Sequence, residues 1–194
     1  EGGDVVLPLL RQQKDGEECL SLSDFVKPCG TDYVGAFAVT AGRGIEEIIS
    51  GYQQTDDFKA LLYQSLSDRL AEAAAELLHA RVRREVWGYA PDERIDRQRA
   101  LRAQYRGIRP AAGYPSLPDQ SAIFAIEKIV GFANVGIAVT PNGAMSPASS
   151  VSGLMIAHPA SRYFMIGAIA PDQRRDYAAR RGITEEELSK WLPK

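Results

Sequence analysis

The sequence predicts an α+β fold: a single domain with a twisted, mostly antiparallel sheet and flanking helices. A strand-like run precedes a long helical pattern, three further strand-like runs follow one another after residue 134, and two helices end the chain. This order lacks the repeated strand–helix–strand alternation of a parallel sheet. The 194 residues, 45% of them hydrophobic, suffice for one substantial core.

The amino-terminal part of the chain has little periodicity. Residues 1–30 mix an apolar run, a charged turn and a Pro-Cys-Gly break, which predicts an irregular lead-in that is part of the same domain as residues 31–194. The first strand is predicted over residues 33–40, where YVGAFAVT is rich in β-branched and aromatic residues and stops at AGRG.

A long helix is predicted over residues 57–86, and Thr55 or Asp56 can cap its start. Apolar residues recur at spacings of three and four and share one side of this helix. They are Phe58, Leu62, Leu66, Leu70, Ala73 and Leu77, and the opposite side carries mostly charged residues. A shorter polar helix is predicted over residues 92–105, with its arginines on a solvated face.

The second half of the chain begins with a loop rich in proline and glycine at residues 106–119, whose last residue, Asp119, can cap a helix over residues 120–130. Ile123, Ile126, Ile129 and Val130 share one face of that helix. Strands are predicted over 135–140, 150–157 and 163–170. A helix follows from Pro171 to about residue 181, and Thr184 with Glu187 forms a capping box for a last helix through residue 191.

Composition and motifs exclude several function classes. The 23 Lys+Arg against 25 Asp+Glu make nucleic acid an improbable partner, and no apolar stretch approaches the roughly 18 residues of a membrane helix. Two cysteines outside a Cys-x-x-Cys spacing favour a reducing compartment and a cytoplasmic protein. Neither histidine has a partner at metal-ligand spacing, so no metal site is predicted. A nucleophile elbow, a P-loop and a dinucleotide fingerprint are lacking.

The most unusual segment is the loop at residues 106–115. Prolines restrict its backbone at positions 110 and 115, and glycines free it at positions 107 and 113. Such a loop can hold the guanidinium of Arg109 beside exposed backbone groups, which suits a ligand with a carboxylate and a flat heteroaromatic ring. The alternative is a structural turn in which Arg109 pairs with a local carboxylate, and spacing alone leaves both interpretations open.

The residues of this loop carry a family resemblance. RPAAGYP at 109–115 resembles the R-P-A-x-G-Y-P signature of the activation domain of cobalamin-dependent methionine synthase. Further segments resemble the same domain in the same order, and the chain is identified as a member of that family. They are DYVGAFAVTAG (32–42), DRLAEA (68–73), VRREVWGYAPDE (82–93), SSVSG (149–153), HPASRYF (158–164) and DYAARRGITEEELSKWL (176–192).

The resemblance implies that residues 31–194 form an S-adenosylmethionine-binding activation domain. Such a domain presents the methyl group of S-adenosylmethionine to reduced cobalamin during reductive methylation of cob(II)alamin, which supports methyl transfer to homocysteine. Cobalamin would be held mainly by a separate domain of the same enzyme, and a flavodoxin-type protein would donate the electron. The domain would be part of a methyltransferase and would not turn over in isolation. No catalytic side chain is expected, because the sulfonium is a good leaving group and the task is alignment.

The resemblance also assigns residues to the ligand site. Arg109 would bind the ligand carboxylate in bidentate fashion, and Ala111 would offer main-chain groups to the adenine. Gly113 would allow close approach of the backbone to the ligand, and Tyr114 would face the methyl-bearing end and the corrin.

Two further site residues match the family outside the loop. Glu72 matches a carboxylate near the ligand, and Tyr163 matches a tyrosine of the same site. The alternatives are a helix-surface ion pair for Glu72 and ordinary core packing for Tyr163.

Three departures from the family pattern bear on ligand binding. Ala103 stands where the family has a second acidic residue, and Gln120 stands where it has a histidine. Nothing in residues 1–30 matches the upstream helical segment that supplies an aspartate to the ligand ammonium, so we expect a trimmed or reduced relative. The rival functions are a docking module for a corrinoid protein that no longer binds S-adenosylmethionine, and a domain that binds another amino-acid nucleotide.

Overall fold

The structure, a computed structural model, describes residues 4–193, so residues 1–3 of the predicted lead-in and residue 194 lie outside the described range. The strands are β1 (Gly35–Thr40), β2 (Ala138–Val139), β3 (Met145–Ser146) and β4 (Ser150–Met155). The helices are α1 (Ile45–Gln53), α2 (Asp57–Arg81), α3 (Arg97–Leu101), α4 (Ala122–Val130), α5 (Pro171–Arg181) and α6 (Glu185–Leu188).

A small antiparallel sheet organises the fold and confirms the predicted α+β class. β1 pairs with β4 along its whole length, from Gly35 opposite Met155 to Thr40 opposite Ser150. β2 and β3 form a separate short hairpin. The predicted strands at 33–40 and 150–157 are therefore confirmed.

The other two predicted strands are largely wrong. Residues 163–170 contain no strand, because the N–H of Ile166 donates to Pro115 O at 2.9 Å instead of a ladder and Gly167 turns the chain at a φ of 76°. The run predicted at 135–140 shrinks to β2. A 3-10 turn over Phe132–Val135 and a left-handed Gly136 precede β2 and leave no room for a longer strand.

The helical prediction for the first half is correct in position and incomplete in detail. α2 begins where predicted, with Asp56 Oδ1 accepting the N–H of Lys59 at 3.0 Å, and it continues as a π-helix over Val82–Val86. The predicted helix at 92–105 contains only α3, whose start is capped by Asp96. α1 was not predicted, because AGRG was interpreted only as the end of β1.

The apolar side of α2 is the exposed side, which is the opposite of the usual amphipathic arrangement. The exposed fractions are 75% for Phe58, 53% each for Leu62, Leu66 and Leu70, and 64% for Leu77. The buried side carries small or polar residues instead, namely Ala60, Ser67, Ala71, Ala75 and His79. Small side chains let the helix backbone approach α1 and the sheet closely, as shown by Ser67 Oγ donating to Ala41 O at 3.0 Å.

The main core lies between the sheet and α4. Ile123 and Ile126 of α4 are buried as predicted, whereas Ile129 is 56% exposed. The cluster consists of Leu22, Phe25, Ile108, Leu117, Ala122, Ile123, Ile126, Phe132, Ile137, Leu154 and Ile156. Leu22 and Phe25 come from the lead-in, so that segment supplies part of the core.

A second cluster joins the lead-in to the carboxyl-terminal helices. Leu10 packs there with Ile166, Tyr177, Ala178, Leu188 and Leu192. α5 ends as predicted at a left-handed Gly182, and Thr184 caps α6, which stops at Leu188 rather than residue 191. Asp119, fully buried, accepts the hydroxyl of Tyr177 at 2.8 Å and also binds Arg181. Within residues 4–193, no helix combines the length and apolar character needed to span a bilayer.

His79 is a fully buried titratable group on the packed side of α2. Its Nε2 lies 3.3 Å from the hydroxyl of Tyr89. Burial, together with the charges of Arg83 and Arg109, lowers the pKa of His79 from 6.5 to about 3. The folded protein therefore holds this imidazole neutral, whereas the unfolded chain takes up a proton as the pH falls below about 6.5.

This difference in pKa predicts acid sensitivity. Between about pH 6.5 and 3 the unfolded state binds one more proton than the folded state. We therefore expect His79 to lower the free energy of unfolding by about 1.4 kcal/mol for each unit by which the pH falls across that window. Urea denaturation between about pH 6.5 and 4.5, above the aspartate titrations, measures the slope. His79→Gln removes this contribution, and the same substitution at exposed His158 leaves it. An equal slope in wild type and H79Q would contradict the expectation.

The end of α3 stores backbone strain at Ala103, which has a φ of 50°. A left-handed conformation costs a residue with a Cβ about 1–2 kcal/mol, and glycine is the usual residue at this point of a helix end. We expect Ala103→Gly to raise the free energy of unfolding by about 1 kcal/mol in urea denaturation. The matched control is Ala100→Gly inside α3, which destabilises by about 0.5–1 kcal/mol. Equal destabilisation by both variants would show that Ala103 is unstrained.

Candidate functional site

The segment RPAAGYP at residues 109–115, here called the signature loop, is fastened to the free edge of β4. Ile108 and Ile156 exchange two backbone hydrogen bonds of 3.0 Å each, and the N–H of Leu154 donates to Pro110 O at 2.9 Å. Next to Leu154 lies Gly153, where a Cβ would lie 2.5 Å from Pro110 O. Glycine at 153 therefore permits the close approach of β4 and the loop.

The second half of the loop is a tight turn. The N–H of Gly113 donates to Leu117 O at 2.9 Å, and Gly113 has a φ of 80°. A Cβ at position 113 would collide with the side chain of Gln120. Gln120 itself donates from Nε2 to Gly143 O at 2.7 Å and so ties the turn to the β2–β3 hairpin.

A cavity of about 410 Å³ lies between the signature loop, α2, β4 and the β2–β3 hairpin, within the size range of small-molecule sites. Its walls combine apolar side chains with a few polar groups. The structure brings five of the predicted site residues to it, namely Glu72, Arg109, Ala111, Tyr114 and Tyr163. Gly113 is not among the residues that line the cavity, although a Cβ there would meet the side chain of Gln120, which does line it. Ala103 also lies outside it, at the end of α3.

Arg109 is the central polar group of the cavity and is held from three sides. Its Nη1 donates to Glu76 Oε2 at 2.9 Å and to the hydroxyl of Tyr105 at 3.1 Å. The hydroxyl of Tyr163 accepts its backbone N–H at 3.0 Å. Among residues 4–193, no hydrogen bond uses Nε or Nη2 of Arg109, so this edge of the guanidinium is available for a ligand.

Glu72 and Glu76 lie one turn apart on α2 and have different surroundings. Glu76 is partly buried and pairs with Arg109. This ion pair agrees with the alternative interpretation of the sequence, in which Arg109 pairs with a local carboxylate. Glu72 lines the cavity, and the described part of the chain offers it neither a hydrogen bond nor an ion pair. Its predicted alternative, a surface ion pair on the helix, is therefore not formed.

Charged residues continue beneath Arg109. Arg83, only 2% exposed, donates from Nε to Glu93 Oε2 at 2.6 Å and lies 4.0 Å from the centre of the Tyr105 ring. Burial raises the pKa of Tyr105 well above its ordinary value, so its hydroxyl keeps its proton at neutral pH. Tyr105 can therefore donate to Glu76 Oε2, 3.3 Å away, while it accepts from Arg109.

Sequence reasoning missed several residues of this site. Glu76 and Tyr105 hold Arg109, and Phe37 and Ser152 line the cavity. The position of Glu76, four residues after Glu72 on a predicted helix, was a usable signal. Tyr105 and Phe37 gave none, because only the tertiary fold brings them to the cavity.

The cavity can bind a ligand that combines a carboxylate with an apolar, planar part. Arg109 supplies the cation, and Phe37, Ala111 and Ile123 supply apolar wall. Residues 4–193 contain no group of three or more histidine, cysteine, aspartate or glutamate residues that could hold a metal ion.

Comparison with known proteins gives the family. A family model described as vitamin B12 dependent methionine synthase, activation domain, matches residues 2–182. A crystal structure described as the MetH reactivation domain bound to AdoHcy is similar, with a TM-score of 0.89 and 40% sequence identity. That match covers 94% of this chain and 58% of the relative, so this chain spans little more than half of its length. The resemblance found in the sequence is thereby confirmed, and the chain belongs to the family of vitamin B12-dependent methionine synthase activation domains.

Proposed function

We propose that this domain binds S-adenosylmethionine in the cavity beside the signature loop and presents its methyl group to reduced cobalamin during reactivation of methionine synthase. The observation that carries the proposal is Arg109, which lines the cavity with its Nε and Nη2 free for a carboxylate. A relative with 40% identity is described as bound to AdoHcy, which differs from S-adenosylmethionine by the methyl group and its charge.

The residues suggest how the ligand is held. The carboxylate would bind the guanidinium of Arg109, and Glu72 would lie near the cationic groups of the ligand. Main-chain groups at Ala111 would meet the adenine, with the ring of Phe37 and the side chain of Ile123 as apolar wall. Gly113 would act indirectly, since its left-handed turn shapes the loop rather than the cavity wall.

Methyl transfer from a sulfonium requires alignment of the methyl group and no general acid or base. The site fits this requirement, because Glu76 and Tyr105 are engaged in holding Arg109 and Glu72 would meet the cationic groups of the ligand. Tyr163 fixes the backbone of the loop, and Tyr105 fixes the guanidinium. The chemistry therefore depends on rigid positioning of the ligand by the fold.

Cobalamin would be held mainly by a separate domain of the same enzyme and would supply the cobalt that receives the methyl group. On this chain, Tyr114 is suited to face it, since its side chain is 60% exposed beside the cavity. The family resemblance supports a flavodoxin-type electron donor, a cytoplasmic location and a role in methyl transfer to homocysteine. The domain would act as part of a methyltransferase and not by itself.

Calorimetric titration of the domain with S-adenosylmethionine tests the proposal. We expect Arg109→Ala to weaken binding about tenfold to a hundredfold, because a charged hydrogen-bonded pair contributes about 1.5–3 kcal/mol. Arg109→Lys should recover little, since an ammonium cannot reproduce a bidentate contact. The control is Arg175→Ala, which removes the same charge from an exposed position on α5.

The outcomes separate the two leading functions. Heat of binding by wild type that is lost in R109A and kept in R175A supports the proposal. Absence of binding by wild type would favour the rival, a docking module that has lost S-adenosylmethionine binding.

A further inference from the structure

The guanidinium of Arg109 has one occupied end and one free edge. Both protons of Nη1 are engaged, one by Glu76 Oε2 at 2.9 Å and one by the hydroxyl of Tyr105 at 3.1 Å. Only 17% of the Arg109 side chain is exposed. A planar guanidinium fixed at one nitrogen has little rotational freedom left, so the direction of its free Nε–Nη2 edge is determined by the protein.

Glu76 and Tyr105, the two residues that bind Nη1, are themselves in contact with Arg83. Arg83 lies under the ring of Tyr105 at 4.0 Å, and its Nη1 lies 4.0 Å from Glu76 Oε1. Glu93, on the far side, binds Arg83 Nε at 2.6 Å. Two arginines and two glutamates thus alternate from Glu93 to Arg109, and their charges balance within the partly buried cluster.

Arg109 forms its ion pair with Glu76 and not with Glu72. Glu72 lies one helical turn away and lines the same cavity. Because Glu76 already pairs with Arg109, Glu72 stays free of it, and the cavity keeps a cationic and an anionic group side by side.

We propose that Glu76 and Tyr105 are positioning residues that hold Nη1 of Arg109, direct its Nε–Nη2 edge toward the ligand carboxylate and so give the site its preference for a carboxylate-bearing ligand. This inference rests on the proposed function, because it assumes that S-adenosylmethionine is the ligand. It assigns a binding role to residues that the signature loop does not contain.

The experiment compares two probes that differ only by the carboxylate, S-adenosylmethionine and decarboxylated S-adenosylmethionine. We expect Glu76→Ala to weaken S-adenosylmethionine binding about tenfold and to change binding of the decarboxylated probe by less than about twofold. Glu76→Gln should recover part of the loss, since its amide oxygen can still accept from Nη1. Tyr105→Phe, which keeps the ring over Arg83, should cost about threefold through the lost hydroxyl.

The matched control is Glu85→Ala, which removes the glutamate of an exposed Arg81–Glu85 pair and should leave both affinities unchanged. Urea unfolding of each variant, measured in parallel, reports whether it is folded in the assay. A loss confined to the carboxylate-bearing probe supports the inference.

Three results would overturn it. Equal losses for both probes in E76A, E76Q and Y105F would show a merely structural role. Tighter binding of S-adenosylmethionine by E76A would show that Glu76 competes with the ligand for Arg109. Unchanged affinities for both probes in all three variants would refute the inference alone, whereas a wild type that binds neither probe would refute the proposed function as well.

Discussion

The whole site depends on the hydrogen bonding of β4 along both of its edges. One edge pairs with β1, and the other holds Ile108 and Pro110 of the loop that carries Arg109. Contact at both edges is possible because Gly153 has no side chain at the point where Pro110 O approaches. The sheet is small, yet it fixes the loop backbone to the same framework that packs against α2.

This shared framework brings charged groups of α2 and of the loop together in the interior of the domain. Burying a single charge costs several kcal/mol, whereas a hydrogen-bonded set of alternating charges offsets most of this cost. Arg83 is the most buried member: its Nε binds Glu93, its guanidinium lies over the ring of Tyr105, and its Nη1, which has no hydrogen bond among residues 4–193, lies 4.0 Å from Glu76 Oε1. Arg109 then completes the set from the loop side. The loop is therefore held to α2 by electrostatic contacts as well as to β4 by backbone hydrogen bonds.

The sequence predicted the elements whose signals are local and failed where tertiary packing decides. Strand β4, the capped start of α2 and the signature loop were all evident, because residue type and spacing specify them. The buried side of α2 was not evident. Periodicity indicates which side of a helix is apolar, but it does not indicate that alanines such as Ala71 pack more closely against a sheet. The residues that hold Arg109 come from α2 and from Tyr105, and only the folded chain brings them together.

The spacing of Glu72 and Glu76 completes the argument about ligand choice. Residues four apart on a helix are separated by about 6 Å along its axis and share one face. Because Arg109 occupies the position opposite Glu76, a zwitterionic ligand would meet a cation and an anion in a fixed order. An uncharged ligand of similar shape would cover Glu72 and the free edge of Arg109 without pairing with them, and the cost of that desolvation disfavours it. Selectivity would then arise from the helix register and the loop together.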